Sequence, residues 1–192
     1  MISQSVMDKR KDILQAALRL FVEQGFHGTA TSKIAQEAGV ANGTLFHHFK
    51  TKDELIIHLY LDIKKQLLNF TEEQAQKQKN TKEKVKAHYI YTLYWALDHP
   101  LEFHFMQQVS LSPFANQIPL EEILEQKKAA IELIQEAMEG GYIQKLPTDF
   151  IHSLIGIHIF GVYQYILKKE LDEKPKKELI EQSFELLWKM LT

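Results

Sequence analysis

Residues 31–55 read TSKIAQEAGVANGTLFHHFKTKDEL, and this stretch decides the fold of the first part of the chain. Ile34 and Ala38 lie four residues apart on one face of a short helix, and Gly39 suits the left-handed conformation that ends such a helix. A second short helix follows over residues 42–49. Two short helices joined by a glycine turn predict a helix-turn-helix, which presents its second helix to the major groove of DNA.

The outward face of the second helix distinguishes this motif from an ordinary helical hairpin. Leu45 and Phe49 are four residues apart and are expected to be buried, which leaves Asn42, Phe46 and His47 on or near the opposite face. A solvated surface helix usually carries more charge than this face does. An ordinary hairpin stays open as the alternative, because Ala-Gly-Val turns occur in many helical pairs.

The run from Ile13 to Leu55 resembles the N-terminal domain of the TetR (tetracycline-repressor-like) transcriptional regulators. The matching pieces are ILQAALRLFVEQGFHGTATSKIAQEAGV (residues 13–40) and ANGTLFHHFKTKDEL (residues 41–55). The second piece carries the Gly-Thr-Leu-aromatic-x-His-Phe-x-x-Lys pattern that is typical of the recognition helix in that family. Two positions depart from the family pattern. Phe46 replaces the usual Tyr and cannot donate a phenolic hydrogen bond to phosphate, and Ala41 replaces a Ser or Thr that often caps the helix.

The composition fits a soluble helical protein of the cytoplasm. The chain has 192 residues and no cysteine, which excludes disulfides and cysteine-based metal or redox sites. It shows no run of about 18 apolar residues and no signal peptide, so we expect no membrane insertion and a cytoplasmic location. Residues 1–52 hold seven Lys or Arg against four Asp or Glu, whereas residues 53–192 hold sixteen against twenty-one. The positive charge therefore coincides with the motif, as contact with phosphates requires.

Apolar residues recur at helical spacing along the rest of the chain, with almost no strand pattern. We predict an all-α fold of about nine helices, with an N-terminal three-helix helix-turn-helix domain and a larger helical ligand-binding and dimerisation domain. The DNA-binding domain is assigned to residues 1–52 and the effector-binding and dimerisation domain to residues 53–192. Thr31 is expected to cap the second helix, and Pro175 is expected to delay the last helix until Lys176.

The segment from Phe150 to Leu167 is apolar on nearly every side rather than along one stripe. A helix of that kind is buried all round, either inside a core or between subunits, and the TetR resemblance implies a homodimer built from the last two helices. The alternative is a monomer with this helix at the centre of its core. The predicted dimer interface comprises Ile159, Val162, Tyr163, Ile166, Phe184 and Leu187.

Aromatic residues are dense between Tyr89 and Phe114, and such side chains, with a few polar groups, line pockets for small molecules. No cluster of Arg or Lys marks this region as an anion site, so we expect a small hydrophobic or amphipathic effector. Aromatic side chains at helical spacing are also common in plain cores, which is the alternative interpretation. The predicted pocket residues are Tyr89, Tyr94, Trp95, Phe103, Met106, Phe114, His152, Ile155 and His158.

Metal and catalytic sites find little support in the sequence. His47 and His48 are adjacent and would point about 100° apart on a helix, so they cannot chelate one ion together. His152 and His158 are six residues apart and likewise diverge. No recognisable catalytic motif is present, and we expect no enzyme activity, no metal and no cofactor.

These patterns together predict a ligand-responsive transcriptional repressor. It would bind an inverted-repeat operator in double-stranded DNA as a homodimer and be released by its effector. The rival interpretation is a helical protein-interaction module with little direct binding of DNA or small molecules. The predicted DNA-binding residues are Thr31, Ser32, Asn42, Gly43, Thr44, Phe46, His47, His48, Lys50 and Lys52.

Overall fold

The structure is a computed structural model that describes the backbone of residues 4–192 and the side chains of residues 8–192. Over those residues the chain forms nine α-helices, one short 3₁₀ helix and no strand. The predicted all-α fold is therefore confirmed. The α-helices are α1 Gln4–Gly28, α2 Thr31–Glu37, α3 Asn42–His48, α4 Lys52–Gln76, α5 Thr81–Asp98, α6 Pro100–Ser110, α7 Leu120–Glu139, α8 Thr148–Lys169 and α9 Glu173–Leu191, and the 3₁₀ helix is Pro113–Gln117.

The chain divides into two compact units, and the first contains the described residues up to Lys64 together with His99–Glu122. In this unit α1 packs against α2, α3 and α6. Burial of its large apolar side chains is the main stabilising term, because each one removed from water contributes roughly 1.5–3 kcal/mol. The core of the unit is built mainly from Ile13, Ala17, Phe21, Ile34, Leu45, Phe49, Leu55, Ile56 and Phe105.

The end of α1 and the turn after α2 each depend on a glycine with positive φ. Gly25 breaks α1 with φ 71° and ψ 168°, a conformation that side-chain-bearing residues rarely adopt. The buried hydroxyl of Thr29 lies 2.8 Å from the carbonyl oxygen of Gly25 and 3.0 Å from that of Leu20, so its one proton is shared between two carbonyls near the break. Gly39 has φ 64° and ends α2 in the left-handed conformation that the sequence predicts.

The second compact unit contains Lys65–Asp98 and Ile123–Thr192. Here α5, α8 and α9 pack against one another in pairs. Tyr89 and Leu93 of α5 are buried, as are Tyr163 of α8 and Phe184 of α9. This unit thus has a core of its own, built on three of the longer helices.

Several local predictions require correction. Thr31 is the first residue of α2, Ala30 is its N-cap, and no side chain caps this helix. α9 begins at Glu173 rather than Lys176, because a proline in the first turn lacks an N–H that would have no partner there anyway. The compact units do not separate at residue 52, since residues 53–64 and α6 belong with the helix-turn-helix. The functional assignment of the two predicted domains stays a prediction.

Candidate functional site

The outward face of α3 is a polar surface with one exposed aromatic ring. The phenyl ring of Phe46 is 39% exposed, whereas Leu45 beside it in the sequence is fully buried. The face therefore combines hydrogen-bonding groups with one apolar group, which is the combination that base edges and thymine methyl groups can bind. The residues on this face are Asn42, Gly43, Thr44, Phe46 and His47, of which only Thr44 is half-buried.

Residues at the two ends of the helix-turn-helix flank this face. Ser32 is exposed in the first turn of α2, and Thr31 beside it is half-buried. Lys50 is exposed just after α3, and His48 is half-buried in its last turn. Hydroxyl and ammonium groups in such positions suit contacts to phosphate oxygens. The predicted DNA-binding residues, Lys52 included, thus lie at least partly exposed in one compact unit.

The surroundings of His48 disfavour the charged form of its imidazole ring. Burial lowers the pKa of His48 below its usual 6.5, and the neighbouring His47, Arg10 and Lys9 lower it further. The rings of His47 and His48 are 5.7 Å apart between centroids. At neutral pH the imidazole of His48 is therefore mainly a neutral hydrogen-bonding group.

The ammonium group of Lys52 contacts the end of α1. Its Nζ donates hydrogen bonds to the carbonyl oxygens of Phe26, at 2.8 Å, and Thr29, at 3.3 Å. Both acceptors lie between the break in α1 and the start of α2. Two of the three donors of the ammonium group are thus used at the end of α1, and the predicted phosphate contact of Lys52 stays a prediction.

The first turn of α4 is capped by its own side chains. Thr51 Oγ1 accepts a hydrogen bond from the backbone N–H of Glu54 at 3.0 Å, and Glu54 Oε2 accepts one from the backbone N–H of Lys50 at 2.8 Å. This arrangement resembles a capping box, which is signalled by Thr or Ser followed three residues later by Glu. The sequence carries that signal at residues 51–54, although the predictions above do not include this cap.

The predicted pocket residues are divided between the two compact units. Phe103, Met106 and Phe114 belong to the first compact unit and the other six to the second. Tyr89, Trp95, Phe103 and Met106 are buried, which is what the alternative of a plain core predicts. Tyr94, Phe114, His152, Ile155 and His158 are half-buried. A ligand pocket in this region stays a prediction.

A groove of about 620 Å³ lies between α5 and α9 in the second unit. Tyr94 is the one predicted pocket residue that lines it. The other lining groups are mostly charged, with three Lys and three Glu side chains. Its lining residues are therefore mainly charged, unlike the mainly aromatic residues of the predicted pocket. Its remaining lining residues are Glu173, Lys174, Lys176, Lys177, Glu178, Glu181 and Gln182.

A chain of hydrogen bonds crosses the core of the second unit. Tyr89 Oη donates to Ser183 Oγ at 2.9 Å, and Ser183 Oγ donates to the carbonyl oxygen of Ile180 at 2.7 Å. Because the phenol has only one proton, His158 Nδ1, 2.8 Å from Tyr89 Oη, must be the donor of that bond. Nε2 of His158 is then left as an acceptor. Burial lowers the pKa of His158 and raises that of Tyr89 to about 12, so both side chains are neutral at pH 7.

The predicted dimer-interface residues lie mostly inside the protomer. Val162 is half-buried, but the other five side chains fill the core of the second unit and cannot form a surface between subunits. The interface prediction is therefore wrong at these five positions. A pattern that is apolar all round does not reveal which side of a helix the protomer's own core uses. The buried residues are Ile159, Tyr163, Ile166, Phe184 and Leu187.

α8 keeps a second apolar stripe exposed on the side opposite that core. Phe150 is 53% exposed, Ile157 70% and Tyr165 51%, and at about 100° per residue they fall within about 80° of one another around the helix axis. On α9, Leu186 and Met190 are exposed four residues apart. α8 is also the one helix in the described part of the chain that is long and apolar enough to cross a membrane. Exposed apolar surface of this extent is typical of an interaction site.

Metal ligands do not cluster in the described part of the chain. Among residues 8–192 there is no group of three or more His, Asp or Glu side chains that could hold an ion.

Known proteins share both the helix-turn-helix and the whole fold. A model of the family described as bacterial regulatory proteins, tetR family, matches residues 13–59. The solved structure of a tetR family transcription regulator from Shewanella sp. PV-4 superposes with a TM-score of 0.88 at 30% identity, covering 95% of this chain and 97% of that one.

Two further similarities concern proteins of Bacillus subtilis. The fatty acid metabolism regulator protein of strain 168 is 27% identical over 172 residues, which cover 90% of this chain and 77% of that protein. The structure of the transcriptional regulator FadR in complex with stearoyl-CoA has the same fold, with a TM-score of 0.71 at 22% identity, and the match covers 95% of this chain and 99% of that one.

Proposed function

The chain belongs to the tetR family of bacterial regulatory proteins and is a transcriptional regulator, and we propose that it acts as a homodimeric repressor which a small amphipathic effector releases from an inverted-repeat operator. One observation carries the proposal. α3 presents a polar, sparsely charged face with an exposed phenyl ring, in the part of the chain that has an excess of positive charge. That combination suits DNA better than it suits a protein partner.

We assign the contacts to base edges to three side chains of α3. The amide of Asn42 and the hydroxyl of Thr44 can hydrogen-bond base edges, and the ring of Phe46 can pack on a thymine methyl group. A β-carbon placed on Gly43 would meet no protein atom within 4 Å, so this position leaves room for the DNA to approach. Phosphate contacts, which fix register without reading sequence, are assigned to Thr31, Ser32, His47, His48 and Lys50.

A salt titration of operator binding tests the proposal. The DNA is the region upstream of the chain's own gene, and the readout is affinity as a function of salt. Asn42→Ala should cost about 1–3 kcal/mol at particular base pairs, because one good contact is lost. Lys128→Ala, a charge change on the exposed surface of α7, serves as the control and should change neither affinity nor salt slope. If the wild-type chain shows no salt-dependent binding, the rival function of a protein-interaction module gains support.

The exposed stripe of α8 supports the homodimer. Polar side chains at Gln164 and Lys168 lie on the same side of the helix as Ile157, so a protein partner suits this stripe better than a lipid bilayer does. Gly161 lies between them with no atom near its β-position, which lets a second helix approach closely. A two-fold axis through this stripe would match an inverted repeat in the operator. The proposed interface comprises Phe150, Ile157, Gly161, Tyr165, Leu186 and Met190.

Two relatives support the class of effector. FadR of Bacillus subtilis binds stearoyl-CoA, and a second relative is named as a regulator of fatty acid metabolism. We assign to this chain the same chemistry, an acyl chain that carries a polar headgroup. The second unit offers a half-buried polar group for such a ligand, because Nε2 of neutral His158 can accept a hydrogen bond.

A further inference from the structure

The end of α1 is held by a cation from another helix. Lys52 is the first residue of α4, yet its ammonium group reaches the carbonyl oxygens of Phe26 and Thr29, 26 and 23 residues earlier in the chain. The side chain is half-buried in this contact. A helix end carries a partial negative charge on its free carbonyls, so a cation here is electrostatically favourable.

Other backbone carbonyls near this contact accept hydrogen bonds from a different side chain, so the contribution of Lys52 can be considered separately. The hydroxyl of Thr29 shares its proton between the carbonyl oxygens of Leu20 and Gly25. Those of Phe26 and Thr29 receive the two hydrogen bonds from Lys52. Removing the ammonium group would therefore leave carbonyls without a protein donor in the turn that leads into α2.

Phe26 connects this contact to other elements of the first unit. Its ring packs edge-on against Phe105 of α6 at 5.8 Å and against Phe114 of the 3₁₀ helix at 5.1 Å. It also contacts Phe21 of α1 at 5.5 Å. One residue thus has its backbone bound by α4 and its side chain packed against α1, α6 and the 3₁₀ helix.

We propose that Lys52 is a positioning residue that fixes the start of α4 to the end of α1, and that Lys50 is the lysine of this segment that meets a DNA phosphate. The proposal deepens the proposed function and rests on it. α3 ends three residues before α4, and Glu54 of α4 also binds the backbone N–H of Lys50. Holding α4 in place therefore holds the C-terminal end of the recognition helix at a fixed angle.

Three variants separate a positioning role from a phosphate contact. Lys50→Ala removes an exposed charge, so the log–log salt slope of operator binding should become about one unit shallower per subunit, with the melting temperature unchanged. Lys52→Gln and Lys52→Met are matched in length and remove the same charge, but only Gln can donate to a carbonyl. Both should lower the melting temperature and weaken operator binding while the salt slope stays at the wild-type value.

The two Lys52 variants should also differ from each other. Lys52→Gln should melt higher and bind the operator more tightly than Lys52→Met, because its amide can restore one hydrogen bond. As a direct readout of positioning, one base pair inserted between the half-sites should weaken the wild type more than it weakens Lys52→Met, whose recognition helix is held less firmly.

The salt slope decides the outcome. A slope that becomes about one unit shallower in both Lys52 variants, with unchanged melting temperatures, would overturn the proposal and return Lys52 to the phosphate contacts. If the wild-type protein binds no operator, the proposed function fails. The role of Lys52 at the end of α1 would still be tested by the melting temperatures of the Gln and Met variants.

Discussion

At the residue scale, Phe46 is the position where this recognition helix departs from its family and remains exposed. Phe46 is 39% exposed on the outward face of α3, so we expect room for a hydroxyl added to its ring. Phe46→Tyr should therefore leave the melting temperature unchanged. We expect operator binding to be equal or up to about tenfold tighter, because a hydroxyl can donate to a phosphate oxygen. Phe46→Leu is the control and should bind more weakly, whereas a large loss of affinity in Phe46→Tyr would mean that DNA packs closely around the ring.

Exposure of single side chains could be predicted where local periodicity sets it. Ile34 and Leu45 are buried and Phe46 is exposed, as spacing along two short helices indicates. The contact of Lys52 with Phe26 could not be predicted in that way, because its acceptors lie more than 20 residues away in sequence. A lysine beside a recognition helix has two kinds of acceptor available, phosphate and carbonyl oxygen, and only tertiary packing decides between them.

Among the helices, α8 shows that an apolar sequence does not reveal which side of a helix packs into the core of the protomer. The sequence predicts that both sides of this helix are covered, and Ile157 and Ile159 are equally apolar. In the structure Ile159 belongs to the core with α5 and α9, and Ile157 is 70% exposed. Periodicity cannot separate two apolar sides of one helix, because the difference depends on which side meets α5.

Charges placed on the two sides of α8 should therefore have different effects. Ile157→Lys should give a folded monomer in sedimentation, with operator affinity lost because the half-sites are read jointly. Ile159→Lys should unfold the protomer, since it buries an unpaired charge. Glu178→Lys, an exposed change on α9 away from the apolar stripe, controls for added charge and should remain dimeric. A dimer of wild-type affinity in Ile157→Lys would rule out this stripe as the interface.

At the scale of the whole molecule, the division into units depends on contacts that no local pattern contains. α6 begins at Pro100, and the predicted boundary at residue 52 places it in the larger domain. The structure groups α6 with the helix-turn-helix because the ring of Phe105 packs against Phe21 at 6.1 Å and against Phe26 at 5.8 Å. These contacts join positions about 80 residues apart in the sequence, which is why they could be found only in the fold.

Stability of the protein should decrease below neutral pH. Burial lowers the pKa values of His158 and His88 below 6.5, and Glu72 partly offsets the effect at His88. Below pH 6.5 the unfolded chain then binds more protons than the native one. The contribution of the two neutral histidines to the free energy of unfolding is therefore present at higher pH and is lost as pH falls through the lowered pKa values.

We expect a lower melting temperature at about pH 5.5 than at about pH 7.5, with each histidine contributing at most about 1.4 kcal/mol per pH unit. His158→Gln keeps a partner for Tyr89 but does not titrate, so the difference between the two pH values should become smaller. An equal difference in the variant and the wild type would contradict a role for His158.

Binding of an acyl-CoA effector and of operator DNA should be linked through the whole protein. Stearoyl-CoA at about 100 times its Kd should stabilise the native state by about 2.7 kcal/mol, whereas CoA alone should raise the melting temperature little, because it lacks the acyl chain. If the effector favours the conformation that does not bind DNA, it must weaken operator affinity by the same factor by which operator weakens effector affinity.

Two histidine variants test where the effector binds. His158→Ala should weaken effector binding without changing operator affinity in the absence of effector. His104→Ala, a change of an exposed histidine in the first unit, should change neither affinity. A rise in melting temperature with unchanged operator affinity would mean that the ligand binds both conformations equally and does not release the regulator.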